Sequence, residues 1–258
     1  MIPLTALILT KDEEENIGRT LAAIRWIDKV VIVDSFSSDQ TLQIARASHP
    51  NVAIVQREFD THANQWNFGL DQVDSEWTLS LDADYEVSPA LVDEIKQLSP
   101  VNDVVGYEAA FEYRIFGRSL RASVYPPRIV LFRPKQSSYY DDGHTQRLKV
   151  NGIVRSFAGK IYHDDRKSFR QWIESQKKYA KIEAKHLLAQ PSEKLNPPDR
   201  LRRKIFFAAP AMFFYLLFGR GLILDGWPGW VYVCQRTVAE LLLSIRLLIE
   251  SRKLEDRS

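Results

Sequence analysis

Trp77-Thr78-Leu79-Ser80-Leu81-Asp82-Ala83-Asp84-Tyr85-Glu86 is the stretch on which the reading of this chain turns. Trp77 to Leu81 has the length and apolar character of a buried strand, and three acids arrive as it runs out. In extended backbone Asp82 and Asp84 leave the chain on the same side, about 7 Å apart. Two such carboxylates repel unless a cation or a hydrogen-bond donor stands between them, and a divalent ion carrying phosphates meets that need. An acidic surface turn has the same composition, so the flanking sequence has to decide.

Upstream, Leu4 to Thr10 is an aliphatic, β-branched run of strand length, ending at Thr10-Lys11-Asp12-Glu13-Glu14-Glu15. Asp12 and Glu15 have the spacing of a capping box, and Ile17, Leu21 and Ile24 recur at helical intervals. Lys29 to Val33 gives a second strand, closed by Asp34-Ser35-Phe36-Ser37-Ser38-Asp39, where Ser38 or Asp39 caps the next helix. Val52 to Val55 is a third strand, and Trp66, Leu70 and Val73 mark a third helical stripe. Strand and helix alternating in this way specify an α/β fold with a mixed, mainly parallel sheet and right-handed crossovers. Ligands of such sheets bind beyond the carboxyl ends of the strands, where Thr10, Glu13, Asp34, Asp82 and Asp84 fall. Asp34 reads equally as a turn acid and as an acceptor for a nucleobase N–H or ribose hydroxyl. Neither G-x-G-x-x-G nor G-x-x-x-x-G-K-[ST] follows a strand, so phosphates need a metal here, not a glycine nest.

Four motifs in order, Leu7 to Ile17, Val31 to Thr41, Gln65 to Leu70 and Leu81-Asp82-Ala83-Asp84, resemble those of family-two inverting glycosyltransferases of the GT-A fold. The resemblance is nearest to the lipopolysaccharide-core glucosyltransferase-like branch. It implies a GT-A nucleotide-sugar domain over residues 1–165, with Thr10, Glu13 and Asp34 holding the nucleoside. It further implies substrate contacts from Gln65 and Asn67, a ribose or metal-water contact from Asp82, and ligation of Mg²⁺ or Mn²⁺ by Asp84. In that branch a Glu often follows directly; here Tyr85 intervenes, which removes Glu86 from the expected site. A His after the last strand of related enzymes ligates the metal or touches the diphosphate, a role that falls on His163.

Ser88-Pro89 reads as a cap with proline in the first helical turn, followed by the stripe Leu91, Ile95, Leu98. Val104 to Phe116 and Arg128 to Phe132 read as further strands. In Tyr139-Tyr140-Asp141-Asp142-Gly143-His144-Thr145 an inverting transfer finds its candidate bases: Asp142 first, Asp141 second, with His144 also open. Asp-Asp-Gly is equally the composition of a turn joining two strands, and catalytic residues often occupy such loops.

Residues 166–258 change character. A basic helical stretch, broken at Pro191 and Asn196-Pro197-Pro198, leads to Arg200-Leu201-Arg202-Arg203-Lys204 and then to Ile205–Gly219, 15 residues without a charge. That run is short of the roughly 20 residues a spanning helix needs. With a basic cluster before it and Trp227, Trp230 and Tyr232 after it, the expectation is a helical region lying at an anionic membrane surface. Gly226-Trp227-Pro228-Gly229 reads as a break, and Val238 to Ile249 as a last amphipathic helix.

The totals agree. A chain of 258 residues with 45% hydrophobic and 26% charged residues supports a folded body, and a net charge of +2 gives no footprint for a nucleic acid. The single cysteine, Cys234, excludes an internal disulfide, fits a reducing compartment, and reads as a core or membrane-facing residue. The N-terminal residues lack the basic n-region of a signal peptide. The expectation is a hexosyltransferase at the cytoplasmic face of the inner membrane, taking a nucleoside diphosphate sugar donor and a lipid-linked saccharide or lipopolysaccharide-core acceptor. A sugar nucleotidyltransferase, which would carry a glycine-rich basic loop after its first strand, and a non-catalytic scaffold of the same fold are the alternatives.

Overall fold

The chain begins with β1 (Leu4–Thr10), α1 (Ile17–Ala23), β2 (Lys29–Asp34), α2 (Thr41–Ser48), β3 (Val52–Gln56), α3 (His62–Leu70), β4 (Trp77–Asp82), β5 (Tyr85–Val87) and α4 (Pro89–Lys96). There follow β6 (Val104–Ile115), the two-residue β7 (Arg118–Ser119), β8 (Arg128–Phe132), β9 (Ser137–Asp142), β10 (Thr145–Val150) and β11 (Ile153–His163). The remainder is helical: α5 (Phe169–Ala189), α6 (Pro197–Arg203), α7 (Ala208–Phe214) and α8 (Trp227–Glu255). This computed structural model describes residues 2–101, 103–143 and 145–255. It divides into two units, Met1–Gly117, Val124–Asp141 and Gln146–Lys167 forming the first, and Arg118–Ser123, Asp142–Thr145 and Ser168–Ser258 the second.

In the first unit the main sheet runs β3-β2-β1-β4-β8-β6-β11-β5. β1 pairs parallel to both β2 and β4, and β2 pairs parallel to β3. Beyond β4 the sheet becomes mixed: β8 is antiparallel to β4 and β6, β11 is parallel to β6, and β5 returns antiparallel to β11. Successive side chains alternate faces, so Ala6 and Ile8 join Ile17, Leu21, Ala45, Leu91 and Ile95 in a core beneath α1, α2 and α4. Leu7 on the other face packs with Val31, Val33 and Trp66 of α3. Both faces are therefore covered, which is why β1 and β2 read as unbroken apolar runs.

Several local expectations change in the folded chain. Asp12 is not a helix cap: its φ is 53°, and its carboxylate accepts from the Ser38 N–H and Oγ. The third helix ends at Leu70, and Val73 is buried in the turn beyond it. Ala83 and Asp84 form a turn between β4 and β5, so Asp84 leaves the extended line of Asp82. Ser88 caps α4 as its sequence indicates, accepting from the Leu91 N–H at 3.2 Å with proline in the first turn.

α4 and β11 meet with unusual closeness. The β6–β11 register slips between Ser156 and Lys160, freeing backbone N–H groups that Glu94 collects from Ala158 at 3.0 Å and Gly159 at 2.6 Å. A Cβ on Gly159 would stand 2.5 Å from the Leu91 backbone N and Cα. Backbone does not yield as a side-chain end does, so the helix itself would have to move. Gly159→Ala should lower stability by about 1–3 kcal/mol, read as a lower urea midpoint with an unchanged slope; an unaltered midpoint would show that the helix shifts at no cost.

The second unit is helical. α5 opens with a full capping box between Ser168 and Gln171. Ala180, Ala184 and Leu187 of α5 pack with Leu195 and with Leu243 and Leu247 of α8. The break expected before the last helix falls at Gly226, where φ is 64°, and α8 starts directly after it at Trp227: Pro228 stands in the first turn, where no intrahelical N–H is required. The uncharged run is not one helix, since α7 passes into a π-helical turn at Tyr215–Gly219. Among the described residues no helix is long and apolar enough to cross a membrane.

Candidate active site

Parallel register decides which side chains meet at the carboxyl edge of the first unit. Thr10 stands beside Asp34, and Leu9 beside Asp82. The antiparallel pairing of Thr78 with Phe132 and Leu79 with Leu131 sets β8 beside β4, and the Asp82 charge reaches Arg128 at the start of β8. His163 ends β11 beside Tyr113. The edge thus presents, in order, Gln56, Asp34, Thr10, Asp82, Arg128 and His163, with Asp84 in the turn after β4.

Asp34 is fully buried. Its Oδ1 accepts from Thr10 Oγ1 at 2.9 Å and Ser37 Oγ at 2.5 Å, and its Oδ2 from the Ser37 N–H at 2.9 Å and Gln56 Nε2 at 3.0 Å. Burial pushes its pKa up, but these donors from Ser37, Gln56 and Thr10 outweigh it and hold the carboxyl below its usual range. Four donors fill about the four lone-pair directions a carboxylate has. Around it the β1–α1 and β2–α2 loops are laced together: Lys11 Nζ donates to Phe36 O at 2.6 Å, and the Asp12 and Glu13 N–H groups donate to Ser37 Oγ and Thr41 Oγ1.

Asp84 and His163 form the other pole. Asp84 Oδ2 lies 3.0 Å from His163 Nε2. Burial raises the carboxyl, but the charge and hydrogen bond of His163, with Lys167 beyond, bring it below its usual value. For His163 burial opposes the charge, and Asp84 outweighs burial and raises the imidazole. Three tyrosine rings enclose that imidazole, Tyr113 at 4.5 Å, Tyr125 at 5.0 Å and Tyr85 at 5.1 Å between centroids. Glu13 is drawn to this pole as well. Lys167 Nζ donates to its Oε1 and Asn16 Nδ2 to its Oε2 at 3.0 Å. Burial, aided by the Asp84 charge and opposed by Lys167, pushes the Glu13 carboxyl up to about 7.

The contact is a hydrogen bond, and its length is also the spacing of two neighbouring ligands of a divalent ion. Two ligands of an octahedral ion, each about 2.1 Å from it and at a right angle, stand about 3.0 Å apart, the separation of Asp84 Oδ2 and His163 Nε2. Among the described residues no group of three His, Cys, Asp or Glu side chains is arranged to hold a metal. The remaining positions would then fall to water and substrate phosphates, the common habit of Mg²⁺. His163 Nδ1 is buried with no hydrogen-bond partner, so the usual outer support of a ligating imidazole is missing.

Other residues singled out from the sequence are placed elsewhere. Asn67 exchanges two hydrogen bonds with the Tyr139 backbone, at 2.9 and 2.8 Å, and so fastens β9 to α3. Asp141 Oδ1 accepts the Ala63 N–H at 3.1 Å, at the start of α3. Gln65 links Arg57, through its Oε1 at 2.6 Å, to Ser35 Oγ at 3.0 Å. Asp142 belongs to the second unit at the hairpin tip, and His144 lies outside the described residues. Glu86 receives Arg19 Nη1 at 2.5 Å, which is why it plays no part at the edge.

Arg128 and Lys167 were not singled out from sequence. Arg128 stacks on Tyr125 with its guanidinium carbon 4.7 Å from the ring centroid, and has no hydrogen bond or ion pair to any described residue. Its signal was Tyr125-Pro126-Pro127-Arg128, a cation at the start of a strand antiparallel to the acidic one. Lys167 ends Asp164-Asp165-Arg166-Lys167, which directly follows His163.

Residues 5–163 match the family model described as glycosyl transferase family 2. A protein of Rickettsia felis named as an uncharacterized glycosyltransferase is 27% identical over 249 residues, covering 90% of this chain and 84% of its own. The lipopolysaccharide core biosynthesis glycosyltransferase LpsC of Rhizobium meliloti is 23% identical over 256 residues, 95% of this chain and 92% of LpsC. Glucosyl-3-phosphoglycerate synthase from Mycobacterium tuberculosis, solved with Mg²⁺ and uridine diphosphate, aligns with a TM-score of 0.48 at 16% identity, over 72% of this chain and 79% of that one. With a family match that begins before Thr10 and ends at His163, over more than half of its length, this α/β chain of GT-A type belongs to glycosyl transferase family 2 and is a glycosyltransferase.

Proposed function

We propose that this glycosyltransferase moves a hexose from a nucleoside diphosphate sugar to a lipid-linked or lipopolysaccharide-core saccharide, with inversion, at the cytoplasmic face of the inner membrane. The observation that carries the reading is the division of labour along one sheet edge: a hydrogen-bonded acceptor at Asp34, an open acid and an open cation at Asp82 and Arg128, and a donor pair at Asp84 and His163. The similarity to LpsC over 95% of the chain supports the acceptor class.

In this reading the base and ribose lie over Thr10, Asp34 and Asp82, and the diphosphate over Asp84, His163 and Arg128. Mg²⁺ or Mn²⁺, held by Asp84 and His163, would offset the charge of the leaving diphosphate. The acceptor hydroxyl attacks the anomeric carbon as the bond to the diphosphate oxygen breaks. Its proton passes to a carboxylate base, and nucleoside diphosphate departs. Arg128 offers an unpaired planar fork to the oxygens that gain charge in that step. Asp34 has no vacant acceptor direction, so a nucleobase N–H enters only as Ser37 or Gln56 withdraws. Nucleotide binding therefore moves the Ser35–Asp39 loop.

Asp84→Ala should abolish the Mn²⁺-dependent part of uridine, cytidine or guanosine diphosphate binding, measured by calorimetry with and without chelator, and lower turnover at least a hundredfold. If Asp84→Ala binds nucleotide and Mn²⁺ as the native chain does, the donor site is misassigned. Release of pyrophosphate instead of nucleoside diphosphate would favour the nucleotidyltransferase, and release of neither the scaffold. Arg128→Met should lower kcat about 10²–10³-fold, the usual loss when one preorganised donor to developing charge is removed, while circular dichroism stays native. An unchanged kcat would remove Arg128 from the chemistry.

A further inference from the structure

The second unit displays aromatic side chains where burial would be expected. At Ile205 a β-branched residue adopts φ of 61°, a region such side chains rarely enter. Ser244 Oγ donates to the Ile205 carbonyl at 2.8 Å, and Ile205 packs against the α5–α8 core. The result is a turn that half-buries one residue and throws out the next two, Phe206 at 74% and Phe207 at 61% exposure. Strain of this kind persists only where the surroundings enforce it, and it clusters at functional positions.

Four further rings form one cluster. Phe214 and Phe218, both exposed, stack at 6.2 Å. Phe213 bridges Phe214 at 5.3 Å to the exposed Trp230 at 6.3 Å. Leu224 is 70% exposed just before α8. Cys234, also exposed, follows Trp230 by one helical turn and so shares its face. Between Arg200 and Arg236 the chain has six basic residues and one acid, Asp225, whose carboxylate is taken by Arg121 at 2.7 Å.

We infer that this face seats on an anionic lipid bilayer, its aromatic side chains in the interface and its basic residues against the head groups. Aromatic and basic residues together are the composition that interface selects. Apart from Arg202, which is paired with Asp199 and Glu240, the basic residues of this segment would be set against themselves by a second copy of the chain, a like-charge juxtaposition that opposes association. The inference gives the proposed lipid-linked acceptor its surface, and rests on that reading only for its biological setting. Its test uses neither donor nor acceptor.

The full chain should float with phosphatidylcholine vesicles containing 30% phosphatidylglycerol, and at least tenfold more weakly with phosphatidylcholine alone. The combined variant Phe206→Ser, Phe207→Ser, Phe218→Ser should lose at least tenfold in binding with an unchanged circular dichroism spectrum. If that variant misfolds, Leu224→Ser with Trp230→Ser tests the same face. A nitroxide on Cys234 should gain oxygen accessibility and lose nickel-chelate accessibility on vesicle addition. The inference is overturned by native protein that does not float, by variants that float undiminished, or by a vesicle-free dimer that the variants dissolve, which would make a second copy the occupant.

Discussion

A carboxylate withdrawn from water needs a cation or several donors beside it, and the first unit is built around meeting that need twice for acids that face each other. Glu13 and Asp84 are near enough for each charge to disfavour the other. The compensation comes from the far end of the unit: His163 is 79 residues from Asp84, and Lys167 is 154 residues from Glu13. Removing either partner would leave a buried carboxylate without its compensation, a defect that costs several kcal/mol. The segment after β11 is therefore what makes the acidic strand ends tenable. Asn16 reinforces it, donating to Glu13 and to Asp165 Oδ1 while its own Oδ1 receives Arg19 and the Arg166 N–H.

This dependence explains which parts could be read from the chain. Strands β1, β2 and β4 are flanked by polar residues and buried along most of their length, so their apolar runs and their ends stand out. Parallel pairing then converts a list of strand ends into neighbours, Thr10 with Asp34 and Leu9 with Asp82. Arg128 and Lys167 escape because their meaning lies in register and in partners far along the sequence. Asn67 and Asp141 illustrate the converse. An amide that binds a ligand and an amide that mimics a strand partner for Tyr139 have the same letter, and only the fold separates them. Pro228 shows the same ambiguity, since proline ends a helix in one place and begins it in another, and here the break falls two residues before it at Gly226.

The Asp12 and Phe36 backbones show why the loops at this edge are costly to build. Both have positive φ, 53° and 59°, without being glycine. Asp12 is held by Ser37 and Ser38, and Phe36 by Lys11. The strain in each loop is thus held by a residue of the other. A ligand that draws Ser37 away from Asp34 also loosens Asp12, so the two loops cannot respond separately.

The two poles of the edge differ in how ready they are. Asp34 is satisfied within the protein, and its contribution to binding must be an exchange of partners, nearly neutral in hydrogen bonds and therefore sensitive to whether the incoming group fits. Asp82 and Arg128 have no side-chain hydrogen bond to a described residue: Asp82 is half-buried, and Arg128 stacks on the Tyr125 ring within reach of the Asp82 charge. A group that meets them replaces water, and in a half-buried setting of low dielectric a charge-assisted contact is stronger than at the surface. In the function proposed above, exchange at Asp34 would favour discrimination between nucleotides, and the charge of Arg128 would favour stabilisation of charge as it develops. The sheet edge would then separate recognition of the donor at Asp34 from chemistry at Arg128 by two strands, β1 and β4.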